Sequence, residues 1–322
     1  MTTTPPTPIC AFDISHDGEA VPLSPDQISA SGNPNGYRWL HFNLADEGFR
    51  PWALAALPRI AANALLQSET RPRCDRTGQG LILNLRGVNL NPGAHPDDMV
   101  SLRMWIADGL IISARVRKIF AVDALREKMV EGKGPLTIND FLAELVYALT
   151  KRIETVSLEL VEDTDSLEEL SLESGSKIAG DLASLRQSVI KLRRFVRPQS
   201  DALADLAEGD EWPMDPAHRD QIQETANRSK RALEELDSTA DRLKAIQDHL
   251  DVIHATALGR NSYILSVVAA IFLPLGFLTG LFGINVGGMP WVEANFGFAL
   301  VSVGSFLIGL ILFLIFRHLK WL

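Results

Sequence analysis

The sequence predicts an α+β cytoplasmic domain followed by a long α-helical stalk and two C-terminal transmembrane helices, and three observations carry that expectation. Charged residues run densely from the N-terminus to Arg260, whereas 263–282 and 296–316 contain no Asp, Glu, Lys or Arg. Short apolar runs broken by turn residues fill the first third of the chain. Between these regions, apolar residues recur every three or four positions over long stretches. The organisation that follows is a cytoplasmic α/β domain over 1–135, a long-helix stalk or coiled bundle over 136–261 and a two-helix membrane region over 262–322.

In the first region, 38–44 (RWLHFNL), 80–85 (GLILNL), 102–106 (LRMWI) and 110–113 (LIIS) read as strands, and 58–68 (PRIAANALLQS) between two of them reads as a helix. That mixture suits one sheet domain of α+β or α/β type, without fixing the strand order. Residues 1–8 are rich in Thr and Pro and lack a basic region followed by an apolar core, so no signal peptide is expected and the bulk stays where it is made. Cys10 and Cys74 are the two cysteines, and neither belongs to a C-x-x-C pair. Neither a disulfide framework nor a thiolate metal site is suggested, and a reducing compartment fits. A formal net charge of -9 argues against nucleic acid as a partner, because phosphates call for Lys and Arg surfaces.

Gly132, Gly134 and Pro135 mark a boundary, and Thr137 with Asp140 reads as a helix start whose side chains accept free backbone N–H groups. Leu142, Val146, Leu149, Ile153, Val156 and Leu160 alternate spacings of four and three, which lays one apolar stripe along a helix that Gly175 ends or bends. A second helix is expected from 178 to about 206, with Leu182, Leu185, Val189 and Leu192 on one face and Pro198 limiting its regularity. After a loop rich in Gly, Asp and Pro, a third helix carries Ile222, Ala226, Ser229, Leu233, Leu236, Ala240, Leu243, Leu250 and Ala257 in heptad-like spacing. If Gly259 is tolerated inside it, stalk and first span form one rod of roughly 90 Å at 1.5 Å per residue. The Ala and Ser positions of that seam suit close neighbours, and self-association serves them as well as antiparallel packing on the two preceding helices.

Each charge-free stretch is 20 or 21 residues long, about 30 Å of helix, which matches a hydrocarbon core better than a pair of buried core helices. Arg260 precedes the first span, Arg317 and Lys320 follow the second, and the loop between carries only Glu293. Both termini are therefore expected in the cytoplasm. Two spans cannot screen an aqueous path from lipid alone, so a channel would need several copies. The first span is the better lining candidate, since Ser262, Ser266, Gly276, Thr279 and Gly280 give it small and hydroxyl groups while Phe306, Phe313 and Phe316 make the second bulkier. Leu265, Ala269, Leu273 and Leu281 complete the expected lining set. Small residues also serve close helix packing, and on this feature the two readings are equal. Pro274 leaves the Ala270 carbonyl without its usual partner.

Directly after the first span come Gly283, Ile284 and Asn285, followed by 286–291 (VGGMPW). Glycines let carbonyls turn toward an axis, and a ring of Asn amides offers neutral oxygens to a hydrated cation. A bare Gly-x-Asn is also an ordinary helix end, but its place in a short loop between two spans favours a pore mouth. Residues 273–285 (LPLGFLTGLFGIN) resemble the CorA-type metal ion transporter superfamily, whose hallmark is Gly-Met-Asn closing the first of two C-terminal spans. The trailing 287–290 (GGMP) is similar to the zinc-transporting ZntB branch, as are 69–73 (ETRPR) and 83–89 (LNLRGVN) of the soluble domain. The resemblance covers nearly the whole chain. It implies a funnel-shaped homopentamer in a bacterial inner membrane, with first spans lining the pore and Gly283, Ile284 and Asn285 at its periplasmic entrance. Ile284 stands where the broader superfamily has Met, which weakens a magnesium assignment and suits the zinc branch.

No cofactor is called for; the metal ion is cargo, zinc on the resemblance, with magnesium, cobalt and nickel as alternatives within the class. Tightly held zinc wants His, Cys or carboxylate ligands, and neither span has any, so the ion keeps most of its water or pauses weakly. The resemblance also implies assistance by a proton gradient, although no titratable group lies between Tyr263 and Asn285. Glu293 outside, and His249 or His254 on the stalk, are the nearest candidates. His218, His249 and His254 with Asp241, Asp248 and Asp251 make a candidate cytoplasmic metal sensor, against the ordinary reading of a solvated helix face. No P-loop, nucleophile elbow or paired catalytic carboxylate pattern is present, so enzymatic and ATP-driven functions have no visible machinery. From a different class, a membrane-anchored signalling or scaffold protein remains the rival.

Overall fold

The computed structural model describes residues 6–78, 80–174, 178–208, 212–283 and 295–319. Contacts divide the chain into two compact units, Met1–Gln247 and Asp248–Leu322.

The first unit is built on a seven-stranded sheet: β1 Cys10–Ser15, β2 Ala20–Pro22, β3 Gly36–Asn43, β4 Arg73–Thr77, β5 Gly80–Gly87, β6 Val100–Ala107 and β7 Leu110–Arg115. Their spatial order is β2-β1-β3-β7-β6-β5-β4. Every neighbouring pair is antiparallel except β3 and β7, which run parallel with Trp39 opposite Ile111. The four strands expected from sequence are β3, β5, β6 and β7. Strands β1, β2 and β4 are additional, and the helix expected at 58–68 is α2, Arg59–Leu66, preceded by α1, Phe49–Ala56.

Alternation along the strands sorts side chains onto two faces. Leu81, Leu83 and Leu85 join Trp39, Leu102, Met104 and Ile106 in one core, closed by Phe141, Leu145, Val146 and Leu149 from α4 (Ile138–Ser174) and by Leu203 and Leu206 from α5 (Ala179–Glu208). Ile82, Trp105 and Ile112 face the other way, onto Phe49, Trp52, Ala61 and Leu65 of α1 and α2. A further helix, α3 (Phe120–Val130), leads from the sheet toward α4. The result is a sheet covered on both sides, which explains why its central strands read as continuous apolar runs.

Helix α4 starts as its sequence dictates. Asp140 Oδ2 accepts from the Thr137 backbone N–H at 3.0 Å and from Thr137 Oγ1 at 2.8 Å, while Thr137 Oγ1 accepts from the Asp140 N–H at 3.1 Å. This reciprocal cap occupies donors that a helix N-terminus otherwise leaves open. Leu142, Val146, Leu149, Ile153, Val156 and Leu160 are all buried, as the spacing requires. In α5, Leu182, Val189 and Leu192 are buried, and the helix continues through Pro198 to Glu208.

Helix α6 runs from Pro216 to Phe282, 67 residues, with Gly259 and Pro274 inside it. Its seam is buried at Ile222, Ala226, Ser229, Leu233, Leu236, Leu243 and Leu250, whereas Ala257 is exposed. Within the first unit the packing corrects the expected antiparallel arrangement on both preceding helices. Arg228 pairs with Glu154 and Arg242 with Asp165, so α4 and α6 advance together and are parallel. The α4–α5 hairpin reverses the chain once, and Val156 and Leu167 of α4 line one groove with Asp181 and Leu192 of α5. Consequently α6 is antiparallel to α5 alone, where Arg193 and Arg197 both reach Asp237.

Candidate functional site

In the second unit, the C-terminal part of α6 and helix α7 (Gly297–His318) are both long and apolar enough to cross a membrane. Of the most apolar 18-residue stretch in each, 6% is buried inside the chain for α6 and none for α7. Core helices of a soluble protein would be covered. Leu265, Leu273, Phe277, Phe298 and Phe306 are instead each 70–88% exposed, a surface that only lipid or other chains can cover without large cost.

The two sides of α6 differ. Val267 is buried, and Ala270, Ile271, Pro274, Leu275 and Leu278 are partly buried. At about 100° per residue these fall on one side of the helix. Leu275 lies on α7's side, since a Cβ placed on Gly309 would meet its Cδ1 at 3.6 Å. The same angular count puts Ser262, Leu265, Ala269, Leu273, Gly276 and Thr279 on the opposite side, and all six are exposed. Leu281, also exposed, stands apart by angle, within the stripe that meets α7, which corrects its expected place in the lining. Phe272 shares the face of the six; nothing in composition marks it, because one Phe among many in a span carries no signal.

On that exposed face the hydroxyls are anchored to their own helix. Thr279 Oγ1 donates to the Leu275 carbonyl at 3.0 Å, and at the edge of the face Ser266 Oγ donates to the Ser262 carbonyl at 2.9 Å. Each oxygen keeps lone pairs free to face outward, which is the polarity a hydrated cation meets favourably. Helix α6 closes at Gly283, whose N–H donates to the Thr279 carbonyl at 2.9 Å. Ile284, Asn285 and Glu293 lie outside the described residues.

Asp251 and His254 sit on a stretch of α6 that is exposed throughout 251–260, and His249, also exposed, precedes it across the buried Leu250. Among the described residues no group of three or more His, Cys, Asp and Glu side chains is gathered to hold a metal ion. His218 is engaged elsewhere, with Nε2 2.7 Å from Asp140 Oδ1 and Nδ1 2.5 Å from Asp215 Oδ2. That contact was legible only in part: Thr137-x-x-Asp140 announces one helix start and Asp215-Pro216 another, but no local pattern says that they meet. Segments 69–73 and 83–89 also converge, since Arg86 Nη2 donates to the Thr70 carbonyl and Nη1 to the Met99 carbonyl, both at 2.8 Å. Beside them Arg103 donates to the Leu65 and Ser68 carbonyls, a cation at the C-terminal end of α2.

A sheet-based unit, a helix bundle and a pair of exposed membrane-length helices define the class of helical membrane proteins. Within that class the chain belongs to the family described as CorA-like Mg2+ transporter protein, whose model matches residues 34–318. It is therefore a metal-ion transporter and not an enzyme. The zinc transport protein ZntB of Yersinia enterocolitica is 33% identical over 98% of this chain and 96% of that protein. A solved structure of the full-length CmaX protein is 33% identical with a TM-score of 0.82, covering 100% of both chains. The complete CorA magnesium transporter of Methanocaldococcus jannaschii shares the fold, with a TM-score of 0.76 at 17% identity over 100% of both chains.

Proposed function

We propose that this chain takes up divalent metal cations, zinc foremost, across a bacterial inner membrane, as a homopentamer whose five α6 helices line the path. What supports this reading is the division of α6 into a side that meets α7 and an opposite side, with Ser262, Ala269, Gly276 and Thr279 set among Leu265, Phe272 and Leu273, that a single chain leaves open. Two spans cannot shield water from lipid, so such a face calls for further copies. Ser262, Leu265, Ala269, Leu273, Gly276 and Thr279 then line the path, and Leu281 lies off it, on the α7 side. Gly283, Ile284 and Asn285 form the outer ring that receives the hydrated ion. The soluble domain of 1–135 and the stalk of 136–261 lie in the cytoplasm, and 262–322 forms the membrane region with both termini inside, supported by Arg260 and Arg317 at the two inner ends.

Zinc is favoured by the Yersinia relative and by Ile284 at the second position of the tripeptide. The family description and the Methanocaldococcus fold neighbour favour a second reading, in which magnesium, cobalt or nickel is the cargo. A proton gradient supplies the driving force on the zinc reading, acting through titratable groups outside the span, such as Glu293, His249 and His254. Reconstitution in liposomes, with zinc and magnesium uptake followed while the pH gradient is imposed, reversed and abolished, tests ion and coupling together. Zinc flux that follows the gradient is expected. Selective magnesium flux overturns the zinc assignment, and a single-chain mass in lipid overturns the shared path.

A further inference from the structure

Asp215 precedes α6 and binds His218 twice: Oδ1 accepts the His218 backbone N–H at 3.1 Å, and Oδ2 lies 2.5 Å from the ring Nδ1. The other ring nitrogen, Nε2, is 2.7 Å from Oδ1 of Asp140, the residue whose second oxygen caps α4. The imidazole is 18% exposed. A neutral imidazole has one N–H and can donate to only one of these carboxylates; at the other, lone pair would face lone pair. The imidazolium donates to both. The geometry therefore selects the charged ring, held between the start of α4 and the start of α6.

We propose that His218 is a proton-operated clasp between the N-termini of α4 and α6 through which cytoplasmic pH adjusts transport. The second half of that statement rests on the transport reading above, and the first half does not. The charged groups acting on the ring are Asp140 from α4 and Asp215 from the segment before α6. The groove that Asp140 borders is lined further by Lys133, Glu144, Glu224 and Arg228, cations and carboxylates in equal number. Burial opposes the charge on His218, but the hydrogen bonds and charges of Asp140 and Asp215 outweigh it, and its pKa is raised above 6.5. The partners agree in sign: Asp140 and Asp215 are both held below the ordinary carboxylate range, Asp140 against its own burial. A histidine raised in the fold stabilises fully below its unfolded pKa and loses that contribution as pH rises through the folded value. The clasp is thus closed in acid and opens on alkalinisation. Release need not detach α6, because Trp212 Nε1 donates to Asn139 Oδ1 at 3.0 Å and Asn139 Nδ2 to the Pro213 carbonyl at 3.3 Å, bonds that do not titrate.

The test uses the full chain in lipid. Nitrogen NMR of the His218 ring, assigned by its loss in His218→Gln, should show both nitrogens still protonated above pH 6.5. The thermal stability of the wild type relative to His218→Gln should be greatest in acid and should decline as pH rises through the titration of the ring. A ring that loses its proton at or below the ordinary value, or a stability difference constant with pH, overturns the clasp. In proteoliposomes the dependence of zinc uptake on internal pH should flatten in His218→Gln. An unchanged dependence overturns the regulatory role, whereas titration of the clasp without metal movement in either protein overturns the transport reading and leaves the clasp standing.

Discussion

His41 shows how one buried side chain can fix the protonation of its neighbours. Arg115 Nε can only donate, and it donates to His41 Nε2 at 2.9 Å, so the ring proton must sit on Nδ1, which faces Ser113 Oγ at 2.8 Å. Ser113 Oγ also accepts from Trp39 Nε1 at 2.9 Å and donates to the Leu40 carbonyl. A Ser beside a His is the pairing of a nucleophile and its base, but this ring is 1% exposed and its second nitrogen is taken by a guanidinium. Burial, reinforced by the charges of Arg115 and Arg126, lowers the His41 pKa to about 3. A histidine kept neutral by the fold costs stability as pH falls from its unfolded value toward its folded one, the reverse of His218. Acid titration of the full chain should therefore lower stability below pH 6.5 by roughly 1.4 kcal/mol per pH unit from this group, and calorimetry should find that slope reduced in His41→Gln. None of this network was legible in the strand reading of 38–44. Ser113 and Arg115 stand 72 and 74 residues away, joined through the parallel β3–β7 register, and only the folded sheet sets that register.

At the scale of elements, the residues whose partners are near in sequence were legible and those with distant partners were not. The apolar stripe of α4 follows from helical period alone, and so does the Thr137 cap. Replacing Thr137 by Ala should cost about 1 kcal/mol, because two hydrogen bonds at the helix start are lost while the packing below is untouched. Thermal unfolding of the full chain at fixed pH would report it. Strand β4 was hidden because Arg73–Thr77 carries three charged residues in five and shows no apolar face. Helix α1 was hidden by Pro51, which its first turn accommodates. For α6 the heptad pattern gave the buried positions as far as Leu250 but not their partners, since a seam looks the same whichever way its neighbour runs. Ion pairs decide the direction here, and the apolar seam supplies the energy. Leu236→Ala should cost about 2–5 kcal/mol, the usual range for a fully buried Leu in a packed core, whereas Arg242→Ala, at a surface pair, should cost under about 1 kcal/mol. Denaturant titration of the two variants separates those contributions.

For the whole molecule, the small residues of the first span have two physical uses, to line a path or to admit a neighbour. Angular position makes the two readings distinguishable. A Cβ at Gly276 would meet nothing within 4 Å in the single chain, and Gly276 lies on the side of α6 opposite the stripe that meets α7. Gly276→Phe is thus compatible with the fold of one chain and fills whatever space several chains enclose. On the lining reading it should cut metal uptake by more than about tenfold, since a bulky apolar ring at a narrow point closes a path by excluding water. The mass of the assembly in lipid should be unchanged. On the packing reading the assembly itself should come apart, and mass would fall along with uptake. Leu281→Phe provides the control, because Leu281 stands off the lining face and should leave uptake within about threefold by the same reasoning. Asn285→Ala extends the test to the outer ring, where loss of uptake with an intact assembly marks a site on the ion's route, whereas a membrane-anchored scaffold would be indifferent to all three substitutions.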